Sequence, residues 1–244
     1  ITHDEPIPKF DRSVLLKGIL VSVGGFREEH SMSVLKSIGF DVRLLRPPAL
    51  NDTTVPSPLC SNMLTHTKAM EFIGTQHSDP SEDWKNWIWI FEDDIAIHPS
   101  VTPHMVRQSI IEFMHVAQRN TTYQKKMVYL GACTTEKLRI CETLSTGVDI
   151  SQSCYLCTHA YGLHSSFAQT FLSDLRQNAN PPISEICHPQ KRLPLDRSIF
   201  HHCLSNSGWA PLLGGKWRTP IERFQSTQYG LFYQDRDLLP TIMG

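Results

Sequence analysis

The chain is 244 residues long, 40% apolar and 19% charged, with a formal net charge of −1. That length can bury a sizeable core in one domain, and the balance is that of an ordinary globular protein. A nucleic-acid binder would carry a basic excess, and no apolar run approaches the roughly 18 residues of a membrane span, so both classes are set aside.

No signal-like segment opens the chain, and Ile1-Thr2-His3-Asp4-Glu5-Pro6 reads as the start of a trimmed or mature fragment. The secretory lumen and the cytoplasmic membrane surface both stay open as compartments. Seven cysteines is an odd number, so at least one thiol is free or paired with another chain. Asn51-Asp52-Thr53 and Asn120-Thr121-Thr122 match the N-glycosylation acceptor pattern.

After an N-terminal arm (1–16), strand-like and helix-like stretches alternate, as in an α/β sheet with helical crossovers. Ile19 to Val23 is a short β-branched run ending at Gly24-Gly25. A helix follows with Met32, Leu35 and Ile38 at helical spacing, stopped by Gly39. Phe40 to Leu45 reads as a second strand closed by Pro47-Pro48, completing a βαβ unit. Leu59, Met63, His66, Met70 and Ile73 predict the next helix, and 77–85 a loop. Trp87-Ile88-Trp89-Ile90-Phe91 is apolar on both faces, as a buried central strand requires. Thr102-Pro103 makes a helix start, with Val106, Ile110, Phe113, Met114 and Ala117 on one face. Strands are predicted at 126–132 and 153–158, and helices around 168–175 and from Asp196 to Leu204. Residues 214–244 lack periodicity and read as a loop-rich tail that folds over the site.

The chemistry points to Glu92-Asp93-Asp94, directly after the apolar strand. Adjacent carboxylates repel, and a cation relieves that repulsion. Ligands of open α/β sheets sit at C-terminal strand ends. In extended backbone, residues 92 and 94 would face the same side. Glu92 and Asp94 are therefore the candidate ligands for a hard divalent cation bridging to a diphosphate, with Asp93 beside the donor. A solvated acidic turn is the plain alternative.

Several blocks resemble glycosyltransferase family twenty-five, which contains lipopolysaccharide and procollagen galactosyltransferases. They are Ile19–Val23 with Arg27, Leu35, Gly39 and Pro47-Pro48-Ala49; Ser61 to Met70; Trp89 to Asp94; Thr158-His159-Ala160-Tyr161-Gly162-Leu163; and Pro194-Leu195-Asp196. Two departures stand out: Ser22-Val23-Gly24-Gly25-Phe26 replaces the usual Asn-Leu-Asp/Glu, and Thr65 stands where Ser is common. The resemblance implies a single Rossmann-like GT-A domain with a mostly parallel central sheet flanked by helices. It implies a UDP-sugar donor such as UDP-galactose, Mn²⁺ or Mg²⁺ as cofactor, a glycan or glycoprotein acceptor, and inversion at the anomeric carbon. Arg27, His66 and Lys68 become candidate donor contacts, and Asp196 the candidate base for the acceptor hydroxyl. Asp196 also reads as a helix cap. Transfer of xylose or glucose, a silent carbohydrate-binding domain, and a metal-dependent phosphohydrolase are the rival readings.

Three further groupings have plainer readings beside the functional ones. Cys154, Cys157 and His159 with Cys133 and Cys141 resemble zinc ligands, but one or two disulfides or buried thiols suit a strand-like run better. His201-His202 and His159 are possible extra metal ligands or ordinary structural histidines. Trp209, Trp217, Tyr229, Phe232 and Tyr233 form a sugar-stacking platform or simply pack.

Overall fold

The structure, a computed structural model, describes residues 14–50, 55, 57–76, 80–134, 138–178, 187, 195–205, 210–221 and 226–235. The arm before Val14, the Asn51 acceptor tripeptide, Pro181-Pro182, Pro194, Trp209 and the tail after Asp235 lie outside the described residues.

The first half follows its local chemistry. Strand β1 (Leu16–Val21) leads through Gly24 and Gly25 into helix α1 (Phe26–Ile38). Gly39, at φ 93°, ends that helix with its N–H on Leu35 and Lys36 carbonyls, a left-handed cap that glycine adopts without steric cost. Strand β2 (Phe40–Leu45) follows, then α2 (Pro58–Gly74), whose Ser57 side chain accepts the Cys60 N–H. The buried strand β3 (Trp87–Glu92) leads into the short β4 (Ile95–Ile97). Helix α3 (Pro103–Arg119) opens with Pro103 and the Thr102 hydroxyl accepting Met105 N–H, as the sequence predicts.

The second half comprises α4 (Thr121–Gln124), β5 (Val128–Thr134), β6 (Arg139–Thr143), β7 (Asp149–Ser153), β8 (Leu156–His164), α5 (Ser165–Asn178) and α6 (Leu195–Ser205). It ends with β9 (Ala210–Leu213), β10 (Arg218–Ile221), β11 (Ser226–Gly230) and β12 (Phe232–Gln234). Asn120 is exposed at the α3–α4 junction, so its acceptor tripeptide lies at the surface.

Strand alternation builds two apolar faces. Trp87, Trp89 and Phe91 pack with α1 and α3 on one side of the sheet. Ile88 and Ile90 pack with α2, α5 and α6 on the other. Helices thus cover both faces of a large sheet, an α/β architecture. Trp89 and Gly162 illustrate the fit: a Cβ at Gly162, paired opposite Trp89, would collide with the indole ring.

The sheet departs from the mostly parallel expectation. Its path is β2-β1-β3-β8-β5-β9-β7-β6, with β11 on β5 and β10 on β11. Only the β1–β2, β1–β3 and β5–β9 pairings among the described residues are parallel. Parallel neighbours need crossovers of a dozen or more residues. The first half supplies them as α1 and α2, whereas β6 and β7 are joined by residues 144–148 alone and pair antiparallel.

Two further expectations change. The predicted strand at 153–158 is instead the end of β7 and the start of β8, separated by Cys154 and Tyr155. The tail from Gly214 contains β10, β11 and β12: β11 and β12 pair with the distant β5 and β4, and β10 pairs with β11. Strand β11 lies against β5, and β12 pairs with β4 in a separate two-stranded sheet. The tail does reach the acidic strand end.

Three disulfides tie the molecule: Cys60–Cys187, Cys133–Cys157 and Cys154–Cys203. Cys141 is the free, exposed thiol. The zinc arrangement is thereby excluded for Cys133, Cys154 and Cys157, whose sulfurs are bonded to one another or to Cys203.

Candidate active site at the end of strand β3

Strand β3 ends at Glu92, and Asp93-Asp94 form a tight turn into β4. The extended geometry that would place residues 92 and 94 on one side therefore stops one residue too early. Glu92 and Asp93 have separate partners as a result.

Glu92 is the centre of a polar knot. Its Oε1 accepts Asn62 Nδ2 at 3.3 Å and Thr158 Oγ1 at 3.5 Å, and its Oε2 accepts Gln234 Nε2 at 3.1 Å. His66 Nε2 stands 3.3 Å from Oε1. His66 is fully buried, and its Nδ1 lies 2.9 Å from the Tyr161 hydroxyl. Burial holds the Tyr161 phenol well above its ordinary value, so it remains an O–H group. With that O–H donated to Nδ1, the imidazole presents Nε2–H towards Glu92. Burial by itself would push the Glu92 carboxyl up, but His66, His159 and Asn62 outweigh it and hold the group well below its ordinary 4.5.

His159 comes close because residue 131 is glycine. A Cβ at Gly131 would run into His159 Nε2 and lie 2.5 Å from the Phe232 carbonyl oxygen. Gln234 reaches Glu92 because β12 is anchored twice: Gln228 Oε1 accepts Gln234 N–H at 2.6 Å, and Asp94 O accepts Asp235 N–H at 2.7 Å.

Asp93 faces the first strand instead. Its Oδ2 accepts Ser22 Oγ at 2.7 Å and Val23 N–H at 3.3 Å, tying the acidic turn to the β1–α1 loop. Gly24 and Gly25 in that loop take φ of 102° and 79°, a region that favours glycine. A Cβ at either would meet no heavy atom within 4 Å, so the loop borders open space. Arg46 supports it from below, donating to Ser22 O at 3.1 Å while paired with Glu28.

Asp196 lies in the first turn of α6, one residue inside the helix rather than ahead of it. Its Oδ2 accepts Cys157 N–H at 3.0 Å and its Oδ1 accepts Arg197 N–H at 2.9 Å. Cys157 has φ 65°, a left-handed conformation that a side chain rarely adopts, and the carboxylate helps hold it there. Burial raises the Asp196 pKa, the two backbone N–H groups oppose that, and the charge on Glu92 adds to the rise.

The structure thus brings Glu92, His66, Asp93 and Asp94 together, with Asp196 in electrostatic reach of Glu92. Lys68 is not brought in: it is exposed, and two helical residues place it about 200° around α2 from buried His66. Arg27 is half-buried in the first turn of α1 and joins none of these contacts. Two of the platform aromatics have packing roles. Phe232 is a core residue packed on Phe91 at 5.4 Å, and Trp217 stacks on His98 at 6.3 Å. His201 is exposed and contacts Phe200. Asn62, Thr158, Tyr161 and Gln234 carried no individual role in the sequence reading, and His159 was named only as a possible metal ligand. Asn62 and His66 are four apart on a predicted helix, the spacing of one face, which is a usable signal. Gln234 had none, since its stretch lacks periodicity.

Among the described residues no group of three His, Cys, Asp or Glu side chains is arranged to hold a metal ion. The donor chemistry sorts the acidic run. Both Glu92 oxygens accept side-chain donors, one Asp93 oxygen accepts Ser22 and Val23, and Asp93-Asp94 form the turn itself. Two carboxylates completed by phosphate oxygens and water suffice for a hard divalent cation. Asp93, whose Oδ1 lies outside the bonds to Ser22 and Val23, can supply one of them beside Asp94, as Glu92 was expected to do.

No protein-family model matches the chain, and a comparison with curated proteins returns no match. The functional reading therefore rests on this geometry and on the sequence resemblance.

Proposed function

We propose that the protein is a divalent-metal-dependent glycosyltransferase of GT-A type that takes its sugar from a nucleotide donor, UDP-galactose first. The observation that carries this reading is the pair of bonds from Ser22 and Val23 to Asp93, which join the acidic turn of β3 to the open glycine loop after β1. Those two strands are adjacent and parallel, and the space beyond their carboxyl ends is where open α/β sheets hold ligands. A nucleoside diphosphate suits an open glycine loop leading into an uncapped helix start beside carboxylates that recruit a cation.

In this reading Asp93 and Asp94 hold Mn²⁺ or Mg²⁺, which supplies neutralisation of the charge developing on the diphosphate. Glu92 is a positioning residue, fixed by Asn62, Thr158, Gln234 and His66, and it keeps the turn and the C-terminal strand in register. The acceptor is a glycan or glycoprotein hydroxyl attacking in line with inversion. Asp196, whose pKa is raised by burial, is the candidate to take the hydroxyl proton. Three disulfides suit an oxidising compartment.

A melting-temperature screen tests the donor and the metal together. UDP and UDP-galactose are expected to raise the melting temperature with Mn²⁺ and to do so much less with chelator, since only ligands of the native state stabilise it. Equal stabilisation in chelator would remove the metal from the reading. Turnover of simple phosphate esters with no response to nucleotide sugars would replace transfer by phosphohydrolysis.

A further inference from the structure

The face of the sheet covered by α5 and α6 holds a cavity of about 330 Å³. It shares no residue with the Glu92 knot. Lys125, Lys126 and Met127 border it just before β5 begins. Val128 is paired with Gly162, and Gly162 with Trp89, so the cavity lies towards the strand end away from Glu92.

It opens to the surface at Lys125 and Thr170, and its size falls in the range of ligand pockets, about 300–1,000 Å³. The walls are apolar: Tyr129 and Tyr155, with rings 4.9 Å apart, stand opposite Phe171 of α5 and Ile199 of α6. Burial keeps both tyrosines as neutral phenols. Among the described residues the border carries two ammonium groups, on Lys125 and Lys126, against one carboxylate, Asp174. Lys125 is exposed and Lys126 half-buried, so a charged ligand group would meet them at the mouth without full desolvation.

We propose that this cavity is a second binding site, separate from the acidic turn, for a small amphipathic carboxylate: an apolar body against Tyr129, Tyr155, Phe171 and Ile199, and its carboxylate at Lys125 and Lys126. Charge complementarity selects the anion, since a cationic amphiphile of the same chain length would face two like charges.

The test is a calorimetric titration of the full chain with decanoate and, separately, with decyltrimethylammonium. Decanoate should bind at one saturable site, and the cation at least about tenfold more weakly. Lys125→Glu with Lys126→Glu should weaken decanoate at least about tenfold with an unchanged melting temperature. Thr170→Trp, at an exposed position lining the cavity on α5, should block decanoate while leaving the chain folded. Absence of saturable decanoate binding, equal binding of the two amphiphiles, or wild-type affinity in the folded Thr170→Trp variant would each overturn the proposal.

Discussion

Glu92 accepts from three side chains and faces a fourth, and its depressed pKa links that knot to stability. A carboxyl held below its unfolded value contributes stability that is complete above about pH 4.5 and is lost as pH falls through the lowered folded value. Glu92→Gln should therefore cost about 2–3 kcal/mol near neutral pH, the scale for breaking a buried charged hydrogen-bond set. The cost should shrink towards acid, where the unfolded wild-type chain takes up the proton first and the native carboxyl follows only near the lowered value. Urea unfolding of both proteins at pH 7 and pH 3 checks this; a constant gap would show that Glu92 acts by shape alone. Asp196 differs, since both its oxygens accept backbone N–H groups. In Asp196→Asn the amide NH₂ must face one of those donors, so a loss of about 1–2 kcal/mol is expected. A drop in sugar transfer of about 10²–10⁴ in the folded variant would mark it as the base. Transfer lost only in proportion to unfolding would leave it an anchor for Cys157.

At the scale of elements, the acidic strand end is assembled by partners from α2, β8 and β12. Gly131→Ala tests the β5–β8–β12 junction, because the added methyl meets His159 and the Phe232 carbonyl oxygen. Overpacking there should lower stability by about 1–3 kcal/mol, read as a shift of the urea midpoint. An unchanged midpoint would mean that His159 is not packed on Gly131. The elements that were legible in the sequence share a cause. Phe40–Leu45, the Thr102-Pro103 start of α3 and the Gly39 stop of α1 are written in local patterns and caps. Strand β3 was legible from its unbroken apolar run, and the acidic cluster from its place after that run. Strands β10 to β12 were not, because β11 and β12 acquire their strand character from pairing with the distant β5 and β4, and β10 is held through β11. The same non-local pairing hid Gln234, and the turn at Asp93-Asp94 hid the separation of Glu92 from its neighbours.

For the whole molecule, three disulfides span separations of 127, 24 and 49 residues. Constraining loops of this length stabilises a chain by a few kcal/mol each, on the order of 2–4. Thiol titration should find one reactive cysteine in the native protein, Cys141, and seven after denaturation and reduction. More than one reactive thiol in the folded, unreduced protein would contradict the pairing. The odd cysteine count foretold the single thiol, but the partners of the other six depended on the fold. The central claim is that the acidic turn serves nucleotide-sugar chemistry, and one measurement addresses it most directly. UDP release from UDP-galactose is followed with Mn²⁺ for the wild type and for Asp94→Asn, a substitution that keeps size and removes charge. The account predicts Mn²⁺-dependent UDP release by the wild type and its loss, by about 10² or more, in a variant that still folds. Release by Asp94→Asn at the wild-type rate, or its absence in both proteins across a panel of UDP-sugars, would contradict it.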